Sequence, residues 1–137
     1  MKTILLVEDD PVVVFAYRHR FIREGFHVET AGDGLSAMKI LPSIRPDVVV
    51  LDLLMPKING ADVLKFIRSD PVLNTTPVII LSNAFMSDLA TEAARAGAEL
   101  ALLKSGCTPA LLVNAINQIL SGRAVEIDTS KRLAVKG

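Results

Sequence analysis

The sequence predicts an α/β fold: a doubly wound sheet of five parallel strands with helices on both faces. Three observations carry that expectation. Short apolar runs alternate along the whole chain with longer stretches that show helical periodicity. One of those runs, Val48-Val49-Val50-Leu51, is unbroken and rich in β-branched residues, as a strand buried on both faces must be. Half of the chain is hydrophobic, yet no apolar run approaches the roughly 20 residues that a membrane-spanning helix needs. A sheet covered on both faces accounts for that surplus. The 137 residues suffice for one domain with a proper core and not for two ordinary ones.

Ile4 to Val7 is the first strand, ending at Glu8-Asp9-Asp10. Asp10 then caps a helix that Pro11 begins, and Val13, Tyr17 and Phe21 share its inner face at four-residue spacing. Arg18, His19, Arg20 and Arg23 are free to face water. Gly25 ends the helix in the left-handed conformation. Phe26 to Ala31 alternates as an edge strand with one wet face should. Asp33 and Gly34 open a second helix, through about Ser43, which Pro42 is expected to shorten. The buried run into Asp52 follows. Asn59-Gly60 turns the chain into a third helix, roughly Ala61 to Ser69. Thr76 to Leu81 is a fourth strand ending at Ser82-Asn83, and a fourth helix runs from about Ser87 to Ala96 before Gly97. Glu99 to Leu103 is a fifth strand ending at Lys104. Thr108-Pro109 repeats the cap-then-proline start, and the last helix reaches about Ser121. Residues 1–122 form the expected domain, and 123–137 a tail or linker without a domain of its own.

Bulk properties narrow the function. Basic and acidic residues balance at 15 each, and Trp is absent, so neither a basic nucleic-acid surface nor a base-stacking platform is indicated. A single cysteine excludes an intrachain disulfide framework and suits a reducing, cytoplasmic setting. The first three residues lead directly into a strand, leaving no room for a signal peptide.

The chemistry lies at the strand ends. Glu8-Asp9, Asp52, Ser82-Asn83 and Lys104 each terminate an apolar run, and parallel strands deliver their carboxyl ends to one rim. In the flavodoxin-like strand order 2-1-3-4-5, the first and third strands are neighbours, which brings Asp9 beside Asp52. Crowded carboxylates repel unless a cation joins them, and carboxylates with a carbonyl and waters suit Mg2+. Lys104 adds a compact positive charge and Ser82 a hydroxyl donor. The set forms a cradle for a phosphoryl group, with Asp52 placed to attack phosphorus and form an acyl phosphate. The plainer alternative is that Asp52 is simply the first solvated residue after its strand. Asp10 and Asp33 are read as helix caps, His19 and His27 as solvated surface residues, and Cys107 as a loop or packing residue.

Val7-Glu8-Asp9-Asp10-Pro11, Asp52-Leu53-Leu54-Met55-Pro56 with Gly60, Ser82, Ala96-Gly97-Ala98 and Lys104 resemble the receiver domains of two-component response regulators over residues 3–121. The resemblance implies a signalling module, and with no output domain visible a stand-alone, single-domain one is expected. Asp52 would be its phosphoacceptor, loaded by a histidine kinase or phosphotransfer protein. Asp9 and Asp52 would hold Mg2+ with the Leu54 carbonyl and, through water, Glu8. Ser82 would move to bond the phosphoryl group and Lys104 would pair with it. Output would be by protein contact or phosphorelay, with a homodimer through the helix 4–strand 5–helix 5 face as one arrangement; neither nucleic acid nor membrane is an expected partner. Leu54 and Ala84 occupy positions that influence water access in this family, which implies slow autodephosphorylation. Three residues depart from the family pattern. Ser105 stands where proline is usual, which puts the customary cis peptide in question; Ala101 stands where an aromatic switch residue is common. Asn83 replaces a smaller residue and narrows access to the site.

Two alternatives stand beside this reading. A phosphatase of the haloacid dehalogenase type needs a second acid two residues after its nucleophile, and that position is Leu54. The chain is therefore expected to be a phosphoacceptor that assists its own phosphorylation, not a general phosphatase. A receiver fold serving as an interaction platform without phosphorylation is the other alternative; the complete acidic and lysine set argues against it.

Overall fold

The structure, a computed structural model, describes residues 1–55, 58–83 and 87–122. The expectations for Pro56, Ala84 and the tail at 123–137 lie outside those residues. The chain runs β1 (Thr3–Val7), α1 (Pro11–Arg23), β2 (His27–Ala31), α2 (Gly34–Ile44), β3 (Val48–Asp52), α3 (Gly60–Ser69), β4 (Val78–Ser82), α4 (Ser87–Arg95), β5 (Leu100–Leu103) and α5 (Pro109–Leu120). A 3-10 turn, Lys104–Gly106, separates β5 from α5. All strand pairs are parallel and the order is β2-β1-β3-β4-β5, as expected.

Alternation along the strands divides the interior into two cores. Ile4, Leu6, Val48, Val50, Ile79, Leu81, Leu100 and Leu102 meet Tyr17 and Phe21 of α1 and Leu112 and Ile116 of α5. Leu5, Val7, Val49, Leu51, Val78 and Ile80 meet Ala37 and Leu41 of α2, Val63, Leu64 and Ile67 of α3, and Ala93 of α4. β1, β3 and β4 are buried on both faces, which is why their sequences run apolar without a break.

The helix starts are held by Asp10, Asp33 and Thr108, the caps expected, and by Asn59, expected only as a turn residue. Asp10 accepts from the Val12 amide, Asp33 from Ser36, Asn59 from Asp62 and Thr108 from Leu111. Gly25 has φ +93° just beyond α1, the left-handed geometry expected there. Pro42 sits inside α2, which ends at Ile44, within a residue of the expected Ser43; Arg45 closes it in the left-handed region at φ 42° with its amide on the Leu41 carbonyl. A proline in the last turn costs one backbone hydrogen bond, while Leu41, fully buried on the same turn, keeps the segment packed.

Candidate functional site

Strand register explains how the charged residues meet. Val7 pairs with Leu51, so Glu8 and Asp52, each one residue further on, lie side by side on neighbouring strands. Leu6 and Val50 face the α1/α5 core, and the two-residue period aims Glu8 and Asp52 the same way. Leu102 faces that core as well, which brings Lys104 to the same side. Ser82 follows Val78 and Ile80, whose side chains face the opposite core, so its hydroxyl starts from the other layer.

The resulting geometry is compact. The Lys104 Nζ lies 3.0 Å from Glu8 Oε2 and 3.5 Å from Asp52 Oδ2. The Asp10 amide donates to Glu8 Oε1 at 3.1 Å, and the Leu54 amide to Asp52 Oδ1 at 3.2 Å. Glu8 and Asp52 are 2% and 4% exposed, whereas Asp9 is open to solvent. Carboxylate oxygens of Glu8, Asp9 and Asp52 all lie within 4.8 Å of one another. These residues line an open cavity of about 530 Å3 together with Leu54 and Lys104; Asp10, Met55 and Asn83 complete its wall. Ser82 is fully buried beside it, and its hydroxyl donates to the Asn83 carbonyl at 3.0 Å.

Burial pushes the Glu8 carboxyl up to about 7; Lys104 opposes that rise and the Asp52 charge adds to it. Burial also raises Asp52, against the pull of Lys104 and the Leu54 amide. For Lys104, burial works against the charge, but its contacts to Glu8 and Asp52 win and hold the ammonium above its ordinary value. Two buried carboxylates share one cation and remain underneutralised. Glu8 Oε2 has that ion pair but no aimed hydrogen bond. An oxygen-lined, electron-rich site with an open side fits a hard divalent cation such as Mg2+.

Elsewhere, Asp10 and Asp33 are caps, as read. His19 lies on the exposed face of α1, stacked on Phe15, and His27 pairs with Glu29 on the edge strand. Cys107 is buried, and burial pushes its thiol up, so a packing role holds. Lys104-Ser105-Gly106 forms the 3-10 turn with trans peptides. Sequence reasoning missed the partner of Tyr17, whose phenol donates to the Cys107 carbonyl at 2.7 Å. The signal available was a hydroxyl on an otherwise apolar helix stripe, because a buried phenol needs an acceptor.

A parallel sheet in this order, with carboxylates and a lysine converging at its carboxyl rim, defines a doubly wound α/β domain with a charged cavity at one end. The chain belongs to the response regulator receiver domain family, whose model matches residues 4–117. Among curated proteins, the probable transcriptional regulatory protein TcrX of Mycobacterium tuberculosis is 43% identical over 81 residues, covering 58% of this chain and 33% of TcrX. The alkaline phosphatase synthesis transcriptional regulatory protein PhoP of Bacillus subtilis is 35% identical over 81 residues, covering 59% of this chain and 33% of PhoP. The chain thus matches about a third of the length of these relatives. Of solved structures, the chemotaxis response regulator CheY4 of Vibrio cholerae superposes with TM-score 0.80 at 27% identity, covering 87% of this chain and 98% of that one. A two-component response regulator of the LuxR family from Aurantimonas sp. SI85-9A1 gives TM-score 0.79 at 33% identity, covering 92% and 89%. Among the described residues, no helix is long and apolar enough to cross a membrane.

Proposed function

We propose that this domain, residues 1–122, accepts a phosphoryl group on Asp52 from a histidine kinase or phosphotransfer protein and signals through altered protein contacts. The observation that carries this reading is the meeting of the Glu8, Asp9 and Asp52 carboxylates with the Lys104 ammonium in one open cavity. Asp52 attacks phosphorus, the bond to the donor imidazole breaks, and an acyl phosphate forms. Glu8 (through water), Asp9, Asp52 and the Leu54 carbonyl would hold Mg2+, which when bound neutralises charge on the transferring oxygens. Lys104 gives up part of its pairing with Glu8 to bond the phosphoryl group. Ser82 rotates away from the Asn83 carbonyl to donate to the same group, and that rotation is the first event of the switch. Ala101 carries no ring to follow it, so the rearrangement passes through the chain after Ser82 to the α4–β5–α5 face, where a partner or a second copy would dock.

Incubation with Mg2+ and a small acyl-phosphate donor tests this reading: intact mass should show one added phosphoryl group on wild type and none on Asp52→Asn. No uptake by wild type would favour a platform that works without phosphorylation. Leu54 is 59% exposed at the cavity rim and offers an attacking water no side-chain hydrogen bond. Self-dephosphorylation is therefore expected over minutes or longer, and decay within seconds under Mg2+ would sink that expectation.

A further inference from the structure

We propose that Tyr17 is a positioning residue for Lys104, acting through its buried hydrogen bond to the Cys107 carbonyl. The proposal rests on the phosphoacceptor reading and adds the element that holds the lysine in place.

The turn that carries Lys104 is short and ends in glycine. Lys104-Ser105-Gly106 contains no proline, and the Cys107 amide closes it on the Lys104 carbonyl at 3.2 Å. The Cys107 carbonyl, on the same residue that closes the turn, accepts the Tyr17 hydroxyl from 90 positions away in sequence. Tyr17 itself is rigidly placed. It is 5% exposed, and its ring lies parallel to Phe21 at 6.0 Å, with Phe21 packed edge-on against Phe26. Burial keeps the phenol protonated, and so a donor, throughout the working pH range.

The bond closes a mechanical ring. Glu8 leaves β1 and accepts the Asp10 amide; Asp10 caps α1; α1 carries Tyr17; Tyr17 holds Cys107; and Lys104 returns to Glu8. One helix therefore fixes both the carboxylate and the turn bearing its ammonium partner. Loss of the hydroxyl leaves the ring packed but frees the turn, and the lysine no longer sits at a fixed distance from Asp52.

The test is the rate of phosphorylation by phosphoramidate at saturating Mg2+, followed by intact mass, below the melting midpoint of every variant. Tyr17→Phe should slow the reaction about tenfold, the scale expected for a reacting group displaced by a fraction of an ångström. In a Lys104→Ala background the same substitution should change the rate by less than about twofold, because the group it positions is gone. Ile67→Val, a packing loss in the opposite core, should lower the melting midpoint and leave the rate within about twofold of wild type. An unimpaired Tyr17→Phe, an equal slowing in both backgrounds, or an Ile67→Val variant as slow as Tyr17→Phe would each overturn the positioning role. Those outcomes count against Tyr17 alone when wild type is phosphorylated. A wild type that takes no phosphate overturns the phosphoacceptor reading and the positioning role with it.

Discussion

Glu8 stores an electrostatic cost that the cavity is shaped to relieve. In the folded chain its carboxyl keeps a proton up to about pH 7, whereas an unperturbed glutamate releases it near 4.5. Below about 4.5 both folded and unfolded chains carry that proton, and the favourable contribution is fully present. As pH rises toward 7 the unfolded chain sheds its proton first, so the contribution is progressively lost. Asp52, raised for the same reason, acts in the same direction. The metal-free domain should therefore lose stability as pH rises from about 4.5 to about 7, measured as a falling urea midpoint. Glu8→Gln should flatten part of that fall, and an unchanged slope in the variant would remove Glu8 as its source. Added Mg2+ should raise the midpoint most at the upper end, where the carboxylates are ionised and bind it best; at ten times its dissociation constant the gain is about 1.4 kcal/mol. Chelation should reverse it.

Single elements show where sequence reasoning succeeds and where it stops. Asp10, Asp33, Asn59 and Thr108 were legible as helix starts because capping is local, one side chain reaching an amide two or three residues on. What holds Pro42 in the last turn of α2 was not legible, because it depends on tertiary packing: burial of Leu41 keeps that turn together. The connection from β3 to α3 is tighter than its sequence suggests. A Cβ on Gly60 would stand 2.6 Å from the Asp52 carbonyl oxygen and 3.0 Å from the Leu53 Cα, both backbone atoms that cannot swing aside. A Cβ on Gly34, at the start of α2, would likewise stand 2.7 Å from the Ile58 carbonyl oxygen. Gly60→Ala should cost about 1–3 kcal/mol of unfolding free energy in urea. It should also shift the amide resonances of residues 52–55; a variant as stable as wild type with unmoved resonances would show that the loop has slack.

At the scale of the whole molecule, the strand order was legible through likeness to flavodoxin-like sheets, and the meeting of Glu8, Asp52 and Lys104 at one rim because parallel strands end on the same side. The bond from the Ser82 hydroxyl to the Asn83 carbonyl was not legible, since it depends on how the chain turns after β4. Nor was the Tyr17 bond, which only tertiary packing brings together. The two cores lie on opposite faces of the sheet, so small losses in them should be independent. Ile67→Val beneath α3 and Ile116→Val on α5 should each cost about 0.5–1.5 kcal/mol in urea. The double variant should match their sum within about 0.5 kcal/mol, and a larger departure would mean that the sheet transmits packing strain between its faces. That insulation has a consequence at the rim. Lys104 and Glu8 belong to the layer of α1 and α5, Ser82 to the layer of α2, α3 and α4, and the sheet keeps the two apart everywhere below. An anion held by Lys104 and Ser82 together would be a bolt through both layers, inserted at the rim where the strands end.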